Sequence, residues 1–248
     1  MSDILRIERY FAHAATSFDG LYSEAQTGQF VRYLNRKLRS DVYERFLLTL
    51  NHVRAFHFDS TLDVGCGSGR YEEALVPLGV RRMVGVDVSP SMIAMAKERI
   101  RPLEQSGAIF DFSCCEFLAL PTTETFDLII AMGLFDYVND PVRFLQKMRT
   151  LCNHSVIASF PSVSISRMPL RKVRYYFKRC PVYFYTQAMI SSFASQAGFS
   201  GIEVKKMAGA AWITSPRFSN SGYDCLCSLL CCRQTQSRPP TSGVVTSV

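Results

Sequence analysis

Leu62-Asp63-Val64-Gly65-Cys66-Gly67-Ser68-Gly69-Arg70 decides the fold. An apolar strand runs into three alternating glycines, and a helical pattern follows. Glycines let the chain turn sharply and let a ligand approach the main chain. Asp87 stands twenty residues after Gly67, at the end of the next apolar run. In a doubly wound sheet that spacing sets a carboxylate beside the ribose of a bound nucleoside, where it accepts from both hydroxyls.

Outward from this turn, short apolar runs alternate with helical patterns. The strand candidates are Thr61–Gly65, Arg82–Asp87, Ala108–Ser113, Phe126–Ala131, Ser155–Phe160, Gly201–Lys206 and Ala210–Thr214. Ser89-Pro90 before Ser91–Ile100, and Asp140-Pro141 before Val142–Leu151, are helix starts: a capping side chain precedes a proline at the first helical position. Continuous apolar strands alternating with helices predict a mainly parallel sheet covered on both faces. Residues 1–57 read as a helical cap, with one long amphipathic helix running from Phe30 to Leu50. Residues 58–216 form the core, with a basic insertion at 161–181. The Cys-, Ser- and Pro-rich stretch 217–248 reads as a flexible tail.

Which nucleoside? A dinucleotide turn wants its third glycine at position 70, where Arg70 stands. Asp63, beside the turn, repels a pyrophosphate and suits a ligand that carries an ammonium or sulfonium and no phosphate. S-adenosylmethionine meets those conditions, and NAD and FAD do not.

These segments resemble the class I S-adenosylmethionine-dependent methyltransferases, and within them the small-molecule branch that includes the ubiquinone-biosynthesis enzymes. The resemblance rests on Leu62–Gly69, on Val84-Gly85-Val86-Asp87-Val88-Ser89-Pro90 with Met92, and on Phe126–Met132. It implies an α/β, Rossmann-like sheet of seven strands in the order 3-2-1-4-5-7-6, the last antiparallel. It also implies site roles. Gly65, Gly67 and Gly69 shape the cofactor turn, Asp63 faces the cationic methionine end, and Asp87 holds the ribose with Val88 packed near the adenine. Glu116, in Cys115–Pro121, stands where the family has an acid near the adenine amino group, although the family residue is a shorter Asp. Met132 falls where relatives line the methionine end. Arg39 matches an arginine that pairs with the cofactor carboxylate, in competition with Arg32 and Arg36.

On the acceptor side, many relatives carry histidine where this chain has Asp136 and Tyr137. Asp136 is therefore the candidate that orients an acceptor or takes its proton. His13 could fold over the site from the N-terminal segment, together with Tyr10 and Tyr22. His52, His57 and His154 fall at the amino ends of strands, away from the ligand side. No Asn/Asp-Pro-Pro-aromatic motif follows the fourth strand. By resemblance this favours oxygen or carbon on a small-molecule or lipid-like acceptor over an amide or nucleobase nitrogen. RNA or protein methylation, and a non-catalytic cofactor-binding protein, are the rival readings.

The net charge of +7 and the insertion, with Arg167, Arg171, Lys172, Arg174, Lys178 and Arg179 around Tyr175, Tyr176 and Phe177, allow a solvated lid, contact with anionic lipid, or nucleic acid. The last is disfavoured, since no second basic-aromatic platform accompanies it. The nine cysteines are read as reduced thiols, with Cys66, Cys114, Cys115 and Cys152 as small hydrophobes. The spacing of Cys225, Cys227, Cys231 and Cys232 is not that of paired zinc knuckles, and no metal is expected. No apolar run reaches about 18 residues and Met1–Glu8 has no secretory core, so the expected location is cytoplasmic, with a membrane surface as the peripheral alternative. Oligomeric state has no signature in the sequence.

Overall fold

In the computed structural model, residues 6–8, 10, 40–161, 182–199, 202–206 and 211–216 are described. Helix α1 (Ser40–Phe56) leads into β1 (Ser60–Val64), α2 (Arg70–Leu75), β2 (Arg82–Asp87), α3 (Pro90–Ile100) and β3 (Ile109–Cys114). Then come β4 (Phe126–Ala131), α4 (Pro141–Leu151), β5 (Cys152–Pro161), α5 (Gln187–Gln196), β6 (Ile202–Lys206) and β7 (Ala211–Pro216). The strands form one seven-stranded sheet in the order β3-β2-β1-β4-β5-β7-β6. Its first five strands are parallel, and β7 runs antiparallel to both neighbours. This is the order that the resemblance implies.

Strand β4 shows why the sequence reads as a continuous apolar run. Successive side chains of a strand point to opposite faces. Ile129 and Ala131 join one core with Leu145 and Met148 of α4 and Ile190 of α5. Leu128 and Ile130 join the other, with Leu50 and Val53 of α1 and Tyr71 and Leu75 of α2. Helices therefore cover both faces, and the strand must be apolar on both.

The two helix starts read from the sequence hold their geometry. Ser89 Oγ accepts from the Met92 N–H at 3.4 Å and Asp140 Oδ1 from the Arg143 N–H at 3.4 Å, each with proline in the first turn. Each such cap stabilises its helix by about 1 kcal/mol. Two features differ from the sequence reading. Strand β5 begins at Cys152, because the chain leaves α4 directly in extended conformation with the Cys152 N–H still bonded to the Arg149 carbonyl. Cys114 is exposed rather than packed inside, because β3 is an edge strand with one neighbour. Cys66 and Cys152 are buried as expected.

The expected helix from Phe30 is described only from Ser40. His13, Arg39, Tyr22, residues 162–181 and the tail 217–248 with its four cysteines lie outside the described residues, as do Arg32 and Arg36.

Candidate active site

The turn after β1 closes against β2 by main-chain hydrogen bonds. The N–H groups of Gly65 and Cys66 both donate to the Val86 carbonyl, at 2.8 and 3.2 Å. Gly67 N–H then donates to Asp87 Oδ2 at 3.0 Å, and Ser89 N–H to Asp87 Oδ1 at 2.8 Å. Asp87 is thus held at the carboxyl end of β2 by the turn itself. A carboxylate oxygen accepts more than one hydrogen bond, so capacity remains for ribose hydroxyls. Burial pushes the Asp87 carboxyl up, and the N–H groups of Ser89, Gly67 and Val88 pull it back.

Gly65, Gly67 and Gly69 have φ of 80°, 55° and 75°, a region that side chains avoid. Their surroundings differ. A Cβ on Gly67 would meet none of the described residues within 4 Å, so among them space lies directly against the main chain. On Gly65 a Cβ would touch Leu134 at 3.4 Å, and on Gly69 it would press on the Ala96 Cα and Cβ at 3.0 Å. Gly67 therefore leaves the main chain uncovered by the described residues, whereas Gly69 lets α2 approach α3. The space beside Gly67, with a carboxylate next to it and no lysine cradle in the turn, fits a nucleoside without phosphates.

The other residues expected in the site fall around the same edge. Val88 follows Asp87 and is half-buried. Glu116 lies just beyond β3, one residue after Cys115, whose N–H donates to the Asp87 carbonyl at 3.0 Å. Met132 directly follows β4 and is half-buried against the α1 side of the core. Asp136 sits in the turn after β4, and its carbonyl accepts from the Tyr183 N–H at 2.9 Å. Tyr185 donates to the Val138 carbonyl at 2.6 Å, which closes the same corner. Asp63 is buried to 3% exposure beneath the turn.

The histidines at the amino ends have packing partners. His52 Nε2 lies 3.4 Å from Ser155 Oγ, and His154 Nδ1 lies 3.7 Å from Asp127. The described residues contain no group of His, Cys, Asp and Glu suited to a metal ion.

Three residues carry more than their sequence context suggests. Arg45, on α1, donates from Nη1 to Ser159 Oγ at 3.0 Å, and the Gly133 N–H donates to the same oxygen at 2.8 Å. That guanidinium would lie 3.5 Å from a Cβ on Gly133, directly after Met132, so α1 delivers a cation to the carboxyl ends of β4 and β5. Lys147, on α4, donates to the carbonyls of Phe117, Leu118 and Leu120 at 2.7, 3.0 and 2.8 Å. It thereby fastens the turn that follows Glu116. Glu72, in the first turn of α2, is buried to 1% exposure beside Asp63. The helical spacing around Arg45 was the one signal available for any of the three.

Comparison with known proteins agrees with this geometry. Residues 62–158 match the family described as methyltransferase domain. The chain is 27% identical over 136 residues to a ubiquinone biosynthesis O-methyltransferase of Xanthomonas oryzae pv. oryzae, covering 51% of this chain and 56% of the relative. It is 36% identical over 110 residues to the protein of that name from Parvibaculum lavamentivorans, covering 44% and 42%. The chain thus spans about half the length of the curated relatives that it matches. A magnesium protoporphyrin IX methyltransferase from Synechocystis PCC 6803, solved with bound SAH, has the same fold at a TM-score of 0.67 and 18% identity, covering 85% of this chain and 97% of its own. Residues 62–158 thus carry the likeness to methyltransferase domains, and the fold is shared with solved methyltransferases.

Proposed function

We propose that this chain binds S-adenosylmethionine and moves its methyl group to an oxygen or carbon of a small-molecule or lipid-like acceptor. The observation that carries the reading is the turn of positive-φ glycines, open at Gly67 and tied to Asp87 at the carboxyl end of β2. Bound there, the cofactor supplies a methyl group already activated on a sulfonium, so the protein's task is to position and desolvate.

Asp87 accepts the ribose hydroxyls, with Val88 against the adenine and Glu116 toward its amino edge. Met132 lines the methionine end. Arg45, held by Ser159 beside Gly133, takes the carboxylate there, a role for which the family resemblance offers Arg39 in competition with Arg32 and Arg36. Asp63 beneath the turn favours a cation above it. Asp136, at the corner closed by Tyr183 and Tyr185, orients the acceptor or takes its proton when an oxygen is methylated. The acceptor class is supported by the names of the curated relatives and by the lack of an Asn/Asp-Pro-Pro-aromatic motif after β4. A lipid-like acceptor also suits the basic segment 161–181, which would bring the chain to an anionic membrane surface. None of the described helices is long and apolar enough to cross a membrane.

The test supplies methyl-labelled S-adenosylmethionine to the protein with metabolite and lipid extracts and locates the label by mass spectrometry. Label on a small organic-soluble product is expected. Label confined to RNA or protein overturns the acceptor class, and failure to bind the cofactor in calorimetry overturns the reading as a whole.

A further inference from the structure

We propose that Glu72, together with Asp63, holds a proton beneath the glycine turn that a cationic sulfonium ligand expels and its neutral thioether product does not. The site would then tell fresh cofactor from spent cofactor by charge. This inference rests on reading the pocket as an S-adenosylmethionine site.

The geometry is that of a neutral acid. Glu72 is 1% exposed, and no other described residue gives either of its carboxyl oxygens a hydrogen bond. The same holds for Oδ2 of Asp63. An ionised carboxylate buried without a partner is strongly penalised, and such groups take up a proton instead. The space is shaped for the side chain. A Cβ on Gly85 would stand 2.8 Å from Glu72 Oε1 and 2.8 Å from the Phe112 ring, so only glycine at that point of β2 admits the carboxyl.

The charged and titratable groups around Glu72 are mostly acids. Asp63 faces it from β1, Asp87 from β2 and Cys66 from the turn. From α3, Arg99 is the countering cation. Its guanidinium is engaged with the Ser68 carbonyl at 2.7 Å and Glu73 Oε2 at 3.0 Å. β3 contributes the Phe112 ring. Burial pushes the Glu72 carboxyl up to about 8; its own backbone N–H and Arg99 draw it down, and Asp87 draws it up. Burial, then Glu72 and Asp87, drive Asp63 in the same direction.

A sulfonium above the turn supplies the positive charge that this cluster lacks. The proton leaves to solvent and the new carboxylate offsets the sulfonium. Once the methyl group has gone the sulfur is a neutral thioether, the offset is lost, and a proton returns from solvent to the acid pair. Linkage then makes the preference for the sulfonium form grow as pH rises through the titration of the pair.

Titration calorimetry of the full chain tests this with S-adenosylmethionine and S-adenosylhomocysteine, each in two buffers of different ionisation enthalpy. More protons should be released with the sulfonium ligand than with the thioether. The ratio of the two dissociation constants should shift toward the sulfonium ligand by up to about tenfold per pH unit between about pH 6 and 8. Glu72→Gln, which copies the shape of the protonated acid, should bind both ligands with a ratio that no longer varies with pH. Equal proton counts and a pH-independent ratio in the wild-type protein overturn the proposal, and that comparison needs no variant. A variant that keeps the wild-type pH dependence overturns the role of Glu72. If neither ligand binds, the cofactor reading falls and this inference with it.

Discussion

Gly67 and Gly69 share a left-handed backbone and answer to different constraints. Alanine at either position carries the strain of a positive φ, roughly 1–2 kcal/mol. At Gly69 the added Cβ also presses on the Ala96 backbone at 3.0 Å, and overpacking of that kind costs about 1–3 kcal/mol more. Gly69→Ala is therefore expected to be the more destabilised in urea denaturation. Gly67→Ala should be destabilised only by the strain of its positive φ and stay folded, yet lose most of its affinity for S-adenosylmethionine, because its methyl group enters the space proposed for the ligand. Equal stability losses would remove the packing role given to Gly69. Asp87→Ala should weaken cofactor binding by about 1–3 kcal/mol in calorimetry, since an ionised acceptor to two hydroxyls is lost. Unchanged affinity would refute the ribose assignment.

At the level of elements, helices bring distant groups to the sheet edge. α1 carries Arg45 to Ser159, 114 residues away in sequence. Arg45→Met should lower affinity for S-adenosylmethionine by about 1–3 kcal/mol and leave 5′-methylthioadenosine, which lacks the carboxylate, nearly unaffected. Equal losses for both ligands would mean that Arg45 only braces the fold. α4 carries Lys147 to three carbonyls of the turn after Glu116. Lys147→Met leaves those carbonyls without their cation, and should weaken both ligands together by loosening the adenine side. Such placements explain what was legible in the sequence. Ser89-Pro90 and Asp140-Pro141 announce their helices because a cap is a local device, and β2 and β4 end where the apolar runs end. α5 was missed: it is short, its Thr186 cap lacks a following proline, and its interior is broken by serines. Lys147 and Arg45 gave little sign of their roles because their partners lie far along the chain. Glu72 was hidden by Glu73, since two adjacent acids at a helix start read as a solvated first turn. Neighbours on a helix point about 100° apart, so Glu73 reaches Arg99 at the surface while Glu72 turns inward.

Over the whole molecule, the sheet divides two packed cores and leaves the acids under the turn between strand ends and α2, where among the described residues Arg99 is the cation acting on Glu72. A carboxyl raised in the folded state binds its proton there while the unfolded chain has already released it. For Glu72 that window opens near its ordinary value of 4.5 and closes near about 8. Inside it the native state binds more protons than the unfolded state, so this group's contribution to stability falls as pH rises and levels off above the window. The wild-type protein should accordingly lose stability relative to Glu72→Gln between about pH 5 and 8, measured as the difference in urea midpoints, with the two curves parallel beyond. A difference that stays flat across the window would mean that Glu72 is ionised when buried. Saturating S-adenosylmethionine should narrow the gap at the alkaline end, because a bound cation stabilises the ionised acid that the free protein holds at a cost.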